Sequence, residues 1–233
     1  EKSKVFGISL KDRGAILAAG HAANGAYWMN SDGKWITSSF YMESLPDYIQ
    51  TINDNNTASS FLKGEWKVEN EFTHNLSLMY ATSGGSAIKK TPFGNTILKD
   101  LAIEILKKEK LGQGKTTDIL TVSFSSTDYI GHQYGPHAPE IKDTYIKLDE
   151  DLAKLLKELE KNVGFEDVVV FLTADHGVVS EPKELLERNI PAGYFDGSIM
   201  RTELLAFLNT TYGDGDWIKN YSNNHLFLNH ELI

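Results

Sequence analysis

Apolar positions along the chain switch between two periods. Residues 4–10, Lys4-Val5-Phe6-Gly7-Ile8-Ser9-Leu10, form a short apolar run that reads as a β-strand. Ala15–Gly20 is small and apolar, which suits a tight turn or a short helix. Residues 26–30 and 34–38 flank Ser31-Asp32-Gly33, a hairpin signal with glycine where a left-handed backbone is needed. Residues 44–53 predict a helix, with Ser44 as cap, Pro46 in the first turn and Tyr48, Ile49 and Ile52 on one face. Residues 54–92 are rich in Asn, Thr, Ser and Gly and show no clear period.

From Asn95 to about Lys110, Ile97, Leu98, Leu101, Ile105 and Leu106 recur at helical spacing, with Asn95 placed to cap. Asp118–Phe124 is a nearly continuous apolar run, as in a strand covered on both faces. A polar loop is predicted over 125–138. A long amphipathic helix follows over 139–161, with Ile141, Tyr145, Leu148, Leu152, Leu155, Leu156 and Leu159 on one side. Asp167–Thr173 reads as a second buried strand. Strand, long helix, strand is a βαβ unit, which implies parallel pairing. The predicted fold is therefore α/β: a largely parallel central sheet, helices on both faces and a small β-hairpin excursion near residues 26–39.

Composition narrows the chemistry. Of 233 residues, 41% are hydrophobic, enough for a substantial core, and the net charge is −9. That balance argues against nucleic acid as a partner, since phosphate backbones call for clustered Lys and Arg. It does not exclude a small anionic substrate, because bound divalent metals reverse the local sign of a site. There are no cysteines, so any zinc must be held by His, Asp or Glu. No segment is apolar and long enough to span a bilayer.

Two short clusters follow predicted strands, where open α/β sheets place ligands. One is Asp128-Tyr129-Ile130-Gly131-His132, the other Asp175-His176-Gly177. Each joins a carboxylate to an imidazole, a donor set suited to zinc, manganese or iron. Gly131 and Gly177 would allow tight turns beside them. A third feature, Lys11-Asp12-Arg13, follows the first strand; on an extended chain Lys11 and Arg13 project to the same side and offer two cations to one anion. Read alone, each of these is better explained by caps, turns or solvated surface charge.

Taken together, Ser126-Thr127-Asp128-Tyr129-Ile130-Gly131-His132-Gln133-Tyr134-Gly135-Pro136 and Thr173-Ala174-Asp175-His176-Gly177 resemble the alkaline phosphatase superfamily. Within it they resemble the branch that holds type I phosphodiesterases, nucleotide pyrophosphatases and single-chain bacterial phosphatases. The resemblance implies a two-zinc site in which Asp128 and His132 share one metal and Asp175 and His176 belong to the other. Lys11 and Arg13 match the Lys-x-Arg pair with which the phosphatase members contact the transferred phosphoryl group. That favours a small phosphate monoester as substrate. The alternatives are a phosphodiesterase or nucleotide pyrophosphatase of the same superfamily and, in another class, a non-catalytic anion- or partner-binding module. The resemblance further implies a periplasmic or secreted protein, an earlier Asp, a Thr or Ser nucleophile and a late His. No counterpart of those last three is apparent, so the chain reads as an internal fragment of a single α/β domain, inactive alone and weak in zinc binding.

Overall fold

The computed structural model describes residues 2–68, 72–223 and 225–233. Contacts divide the chain into two units, residues 1–180 and residues 181–233.

The first unit is built on strand β1 (Val5–Ser9), helix α1 (Asp12–Ala19), and strands β2 (Gly25–Met29) and β3 (Trp35–Ile36). Helices α2 (Asp47–Asp54) and α3 (Thr57–Phe61), strands β4 (Glu65–Val68) and β5 (Phe72–Asn75), and helices α4 (Leu76–Ser83) and α5 (Phe93–Lys108) come next. Strand β6 (Ile119–Ser123) and helices α6 (Ser126–Tyr134) and α7 (Pro139–Asn162) complete its regular elements. The sheet order is β3-β2-β1-β6. Strands β2, β1 and β6 are parallel, and β3 is antiparallel to β2.

Strand β1 sorts its side chains by the period of two. Phe6 and Ile8 are fully or nearly fully buried in the core that also holds Ile97, Leu98 and Leu101 of α5. Gly7 faces the other way, where α1 comes so close that a Cβ would lie 2.4 Å from the Ala15 carbonyl oxygen. One face of the sheet therefore carries α5 and the other α1, as the α/β expectation requires. The hairpin at 26–39 is present, and Gly33 adopts φ of 78°. Its first strand is not an outlying excursion but the parallel neighbour of β1.

The region without sequence period, 54–92, folds into α3, the β4–β5 hairpin, α4 and a 3-10 segment, Gly84–Lys90. Three of its residues, 69–71, lie outside the described ones. Trp66 anchors this region: its indole is fully buried and its Nε1 donates to the Asp143 carboxylate at 2.7 Å. The inner face of α7 thus buries carboxylates as well as Ile141 and Leu155, whereas Tyr145, placed there by its period, is exposed.

Three elements differ from expectation. Residues 126–134 form helix α6 rather than a loop, because Ile130 buries fully and Gly135, at φ of 88°, ends the helix. Asn95 does not cap α5: Pro92 precedes the first turn, and the Asn95 side chain is buried, its Oδ1 accepting the Ser126 amide at 3.1 Å. Most consequential, Asp167–Thr173 forms no strand ladder. Asp167 closes a 3-10 turn, Phe165–Asp167, and β6 stays at the edge of the sheet. Val169, Phe171 and Leu172 are 78%, 89% and 86% exposed, since the run meets no neighbouring strand on which to bury them.

The second unit contains helices α8 (Pro182–Glu187) and α9 (Gly197–Tyr212) and the antiparallel pair β7 (Ile218–Ser222) and β8 (His225–Leu228). Asp196 caps α9 by accepting the amides of Ser198 and Ile199. No described helix is long and apolar enough to cross a membrane.

Candidate active site

The site follows from strand register. Ser9 and Ser123, the last residues of β1 and β6, are paired neighbours. Their chains leave the sheet side by side, and a hydroxyl relay ties them: Ser9 Oγ lies 2.8 Å from Ser125 Oγ, and Ser125 Oγ donates to the Ser123 carbonyl at 3.0 Å. Two residues past Ser9 comes Lys11; five past Ser123 comes Asp128. This places the Lys11 ammonium in a hydrogen-bonded ion pair with Asp128 Oδ2. The same ammonium lies 4.7 Å from the centroid of the Tyr129 ring.

Helix α6 supplies the next contact. Asp128 and His132 are four residues apart and share one helical face, so His132 Nε2 lies 3.2 Å from Asp128 Oδ1. His176, in the segment after α7, approaches the same oxygen, with Nε2 at 3.6 Å. Asp175 Oδ2 lies 3.6 Å from that Nε2. Of the four residues singled out as metal ligands, His132 and His176 therefore meet at the Asp128 carboxylate, and Asp175 joins through His176, in pairs rather than about a common centre. Among the described residues, no group of three or more His, Asp or Glu is gathered tightly enough to enclose a cation. Asp128 is four-fifths covered, and burial by itself would raise its pKa. Its hydrogen bond to Lys11, with the charges of Lys11, His132 and His176, outweighs that and holds the carboxyl below the usual range.

The donor chemistry fits a divalent metal. His176 Nδ1 lies 2.8 Å from the Gly177 carbonyl oxygen, which can only accept, so Nδ1 carries the proton. His176 Nε2, the atom that would ligate a metal, faces Asp128 Oδ1 and Asp175 Oδ2, each at 3.6 Å. Neither Gly131 nor Gly177 adopts positive φ, so both have ordinary backbone; Gly131 lies inside α6.

Lys11 and Arg13 do not share an extended segment. Lys11 is the N-cap of α1, with extended φ and ψ of −113° and 137°, and Arg13 sits in the first helical turn. Both still line one cavity of about 230 Å³, together with Trp28, Tyr129 and Lys89. Sequence reading passed over Lys89 because it lies in the stretch without period. It also missed Asn95 as the residue that seats the start of α6. An Asn on the buried face of a helix, where no cap is needed, was the signal available for it.

The remaining histidines lie elsewhere. His21 packs edge-on against Phe40, and His74 lies between Trp66 and Tyr134, with Nε2 3.2 Å from Glu140. His137 pairs with Ser180 Oγ at 3.3 Å.

A largely parallel sheet with Lys11 just past the carboxyl end of β1, and Asp128 and His132 just past that of β6, defines an α/β protein of the kind that binds ligands there. The chain belongs to the type I phosphodiesterase / nucleotide pyrophosphatase family, whose model matches residues 4–204. It is 38% identical to a Myroides odoratus protein described as a calcium-transporting ATPase, over all of this chain and 47% of that one. It is 33% identical to the alkaline phosphatase PafA of Elizabethkingia meningoseptica, over 99% of this chain and 47% of the relative. The crystal structure of wild-type alkaline phosphatase PafA superposes with a TM-score of 0.90 at 32% identity, covering 99% of this chain and 49% of the other. The chain spans about half the length of these relatives.

Proposed function

We propose that this chain forms one half of the site of a two-metal phosphate monoesterase. The observation that carries the reading is the convergence of Lys11, His132 and His176 on the Asp128 carboxylate at the paired ends of β1 and β6. Alkaline phosphatases among the relatives support it. Asp128 and His132 would hold one zinc, and Asp175 and His176 would contribute to the other. When bound, such a metal pair lowers the pKa of a nucleophile and neutralises a departing oxygen. Two donors per metal are fewer than the three or four of stable protein zinc sites, so these residues alone bind zinc weakly. The nucleophile and the other ligands are proposed to come from outside these 233 residues.

The chain's own contribution is electrostatic. Asp128 is kept ionised, hence ready to act as a ligand. Lys11 and Arg13 line the same cavity and stabilise charge on the non-bridging phosphoryl oxygens, Lys11 as a point charge and Arg13 as a planar fork. A diester places a second substituent where one of those charges lies, so the pair selects monoesters. A periplasmic or secreted location is part of the same proposal and rests on the family resemblance.

The test uses the whole protein, zinc-loaded, with phenyl phosphate and methyl phenyl phosphate. Neutralising Lys11 and Arg13 together removes two charge-assisted contacts, a loss of about 10²- to 10⁴-fold on the monoester. The diester should lose far less. Equal losses on both substrates would refute the assignment.

A further inference from the structure

The cavity beside Lys11 and Arg13 is larger than a transferred phosphoryl group needs. At roughly 30 Å³ for each water-sized group, its volume of about 230 Å³ accommodates several more atoms than one phosphoryl group has. Its lining includes three cations, Lys11, Arg13 and Lys89, against one carboxylate, Asp12, in a chain whose net charge is −9. Lys11 is already engaged by Asp128, and the proposed monoesterase employs Lys11 and Arg13 on the phosphoryl oxygens. Lys89 is then a surplus cation.

Lys89 is held in place rather than free in solvent. It is half-buried near the end of the 3-10 segment Gly84–Lys90, and its Nζ donates to the Met29 carbonyl at 2.9 Å. An ammonium has three N–H groups, so two remain for a ligand. Burial pushes its pKa below the ordinary lysine value, and only the charge of Asp12 opposes this. A positive charge kept in such a place is stabilised when an anion enters. Trp28 and Tyr129 add aromatic surface to the same lining, on which the body of an organic group can lie.

We infer that Lys89 is a specificity residue that binds a second anionic group on the leaving-group side of the substrate, so that the preferred monoesters carry a carboxylate or further phosphate there. This rests on the monoesterase reading. The test compares phenyl phosphate with 4-carboxyphenyl phosphate on the whole, zinc-loaded protein, as wild type, Lys89→Gln and Lys89→Arg.

Lys89→Gln should lower kcat/KM for the carboxylated substrate about 10-fold or more beyond its effect on phenyl phosphate, the range for one lost charge-assisted hydrogen bond. Lys89→Arg should restore most of that difference. An equal loss on the two substrates, or none on either, overturns the inference. A wild type that turns over neither substrate counts against the monoesterase reading instead. In that event calorimetric binding of phenylphosphonate and 4-carboxyphenylphosphonate decides the subsite. A wild-type preference for the carboxylated ligand that falls about 10-fold in Lys89→Gln supports it, and an unchanged ratio of affinities overturns it.

Discussion

Replacing Lys11 by Met keeps most of the side chain's length and removes only the charge opposite Asp128. The two side chains are 16% and 20% exposed, so the pair lies between a solvated bridge and a buried one. Solvated pairs contribute about 0–1 kcal/mol, and breaking a buried pair costs about 3–5 kcal/mol. Four-fifths burial, with His132 and His176 still near the carboxylate, places the coupling at roughly 2 kcal/mol. The lysine also contacts the Tyr129 ring, a contribution of about 0.5–1 kcal/mol that a single substitution would mix in. A double-mutant cycle with Asp128→Asn cancels it.

The assay is urea unfolding followed by tryptophan fluorescence in a Trp217→Phe background. Within these 233 residues, Trp28, Trp35 and Trp66 then remain, all in the first unit. The pH dependence has a definite sign. The folded pKa of Asp128 is depressed below its ordinary 3.8, so its contribution is fully present above that value and is lost as pH falls through the folded one. A coupling below about 0.5 kcal/mol at neutral pH, the level of a solvated pair, would refute the view that charge pairing organises this site.

Two further outcomes follow from packing. Gly94→Ala would place a Cβ 2.2 Å from Ser126 Oγ and 2.8 Å from the Ile88 carbonyl oxygen, pushing α5 away from the start of α6. It should destabilise by about 1–3 kcal/mol, read as a lower Tm, and an unchanged Tm would mean that this contact is loose. Trp66→Phe removes the indole N–H from buried Asp143 while leaving the Lys147 pair in place. A loss of about 1–3 kcal/mol is expected in urea unfolding, and a neutral result would show that Lys147 alone satisfies the carboxylate.

Much of this protein was legible in its sequence. Short apolar runs located β1 and β6, and apolar positions at helical spacing located α5 and α7, because such a spacing shows which face of a helix meets a core. The Asp-x-x-x-His spacing of Asp128 and His132 is itself a helical spacing, so α6 could have been read where a loop was predicted. Other features depended on contacts distant in sequence. Lys11 meets Asp128 because Ser9 pairs with Ser123 across the sheet, a register that nothing near either residue encodes. Lys89 joins their cavity through the Met29 carbonyl, sixty residues away along the chain. Asp167–Thr173 carries an apolar strand pattern yet forms no ladder in the structure. A strand is completed by its neighbour's hydrogen bonds and covering side chains, whereas a helix closes its own bonds within a turn. The residue types of the site were therefore fixed locally, and tertiary structure alone decided which of them share one carboxylate.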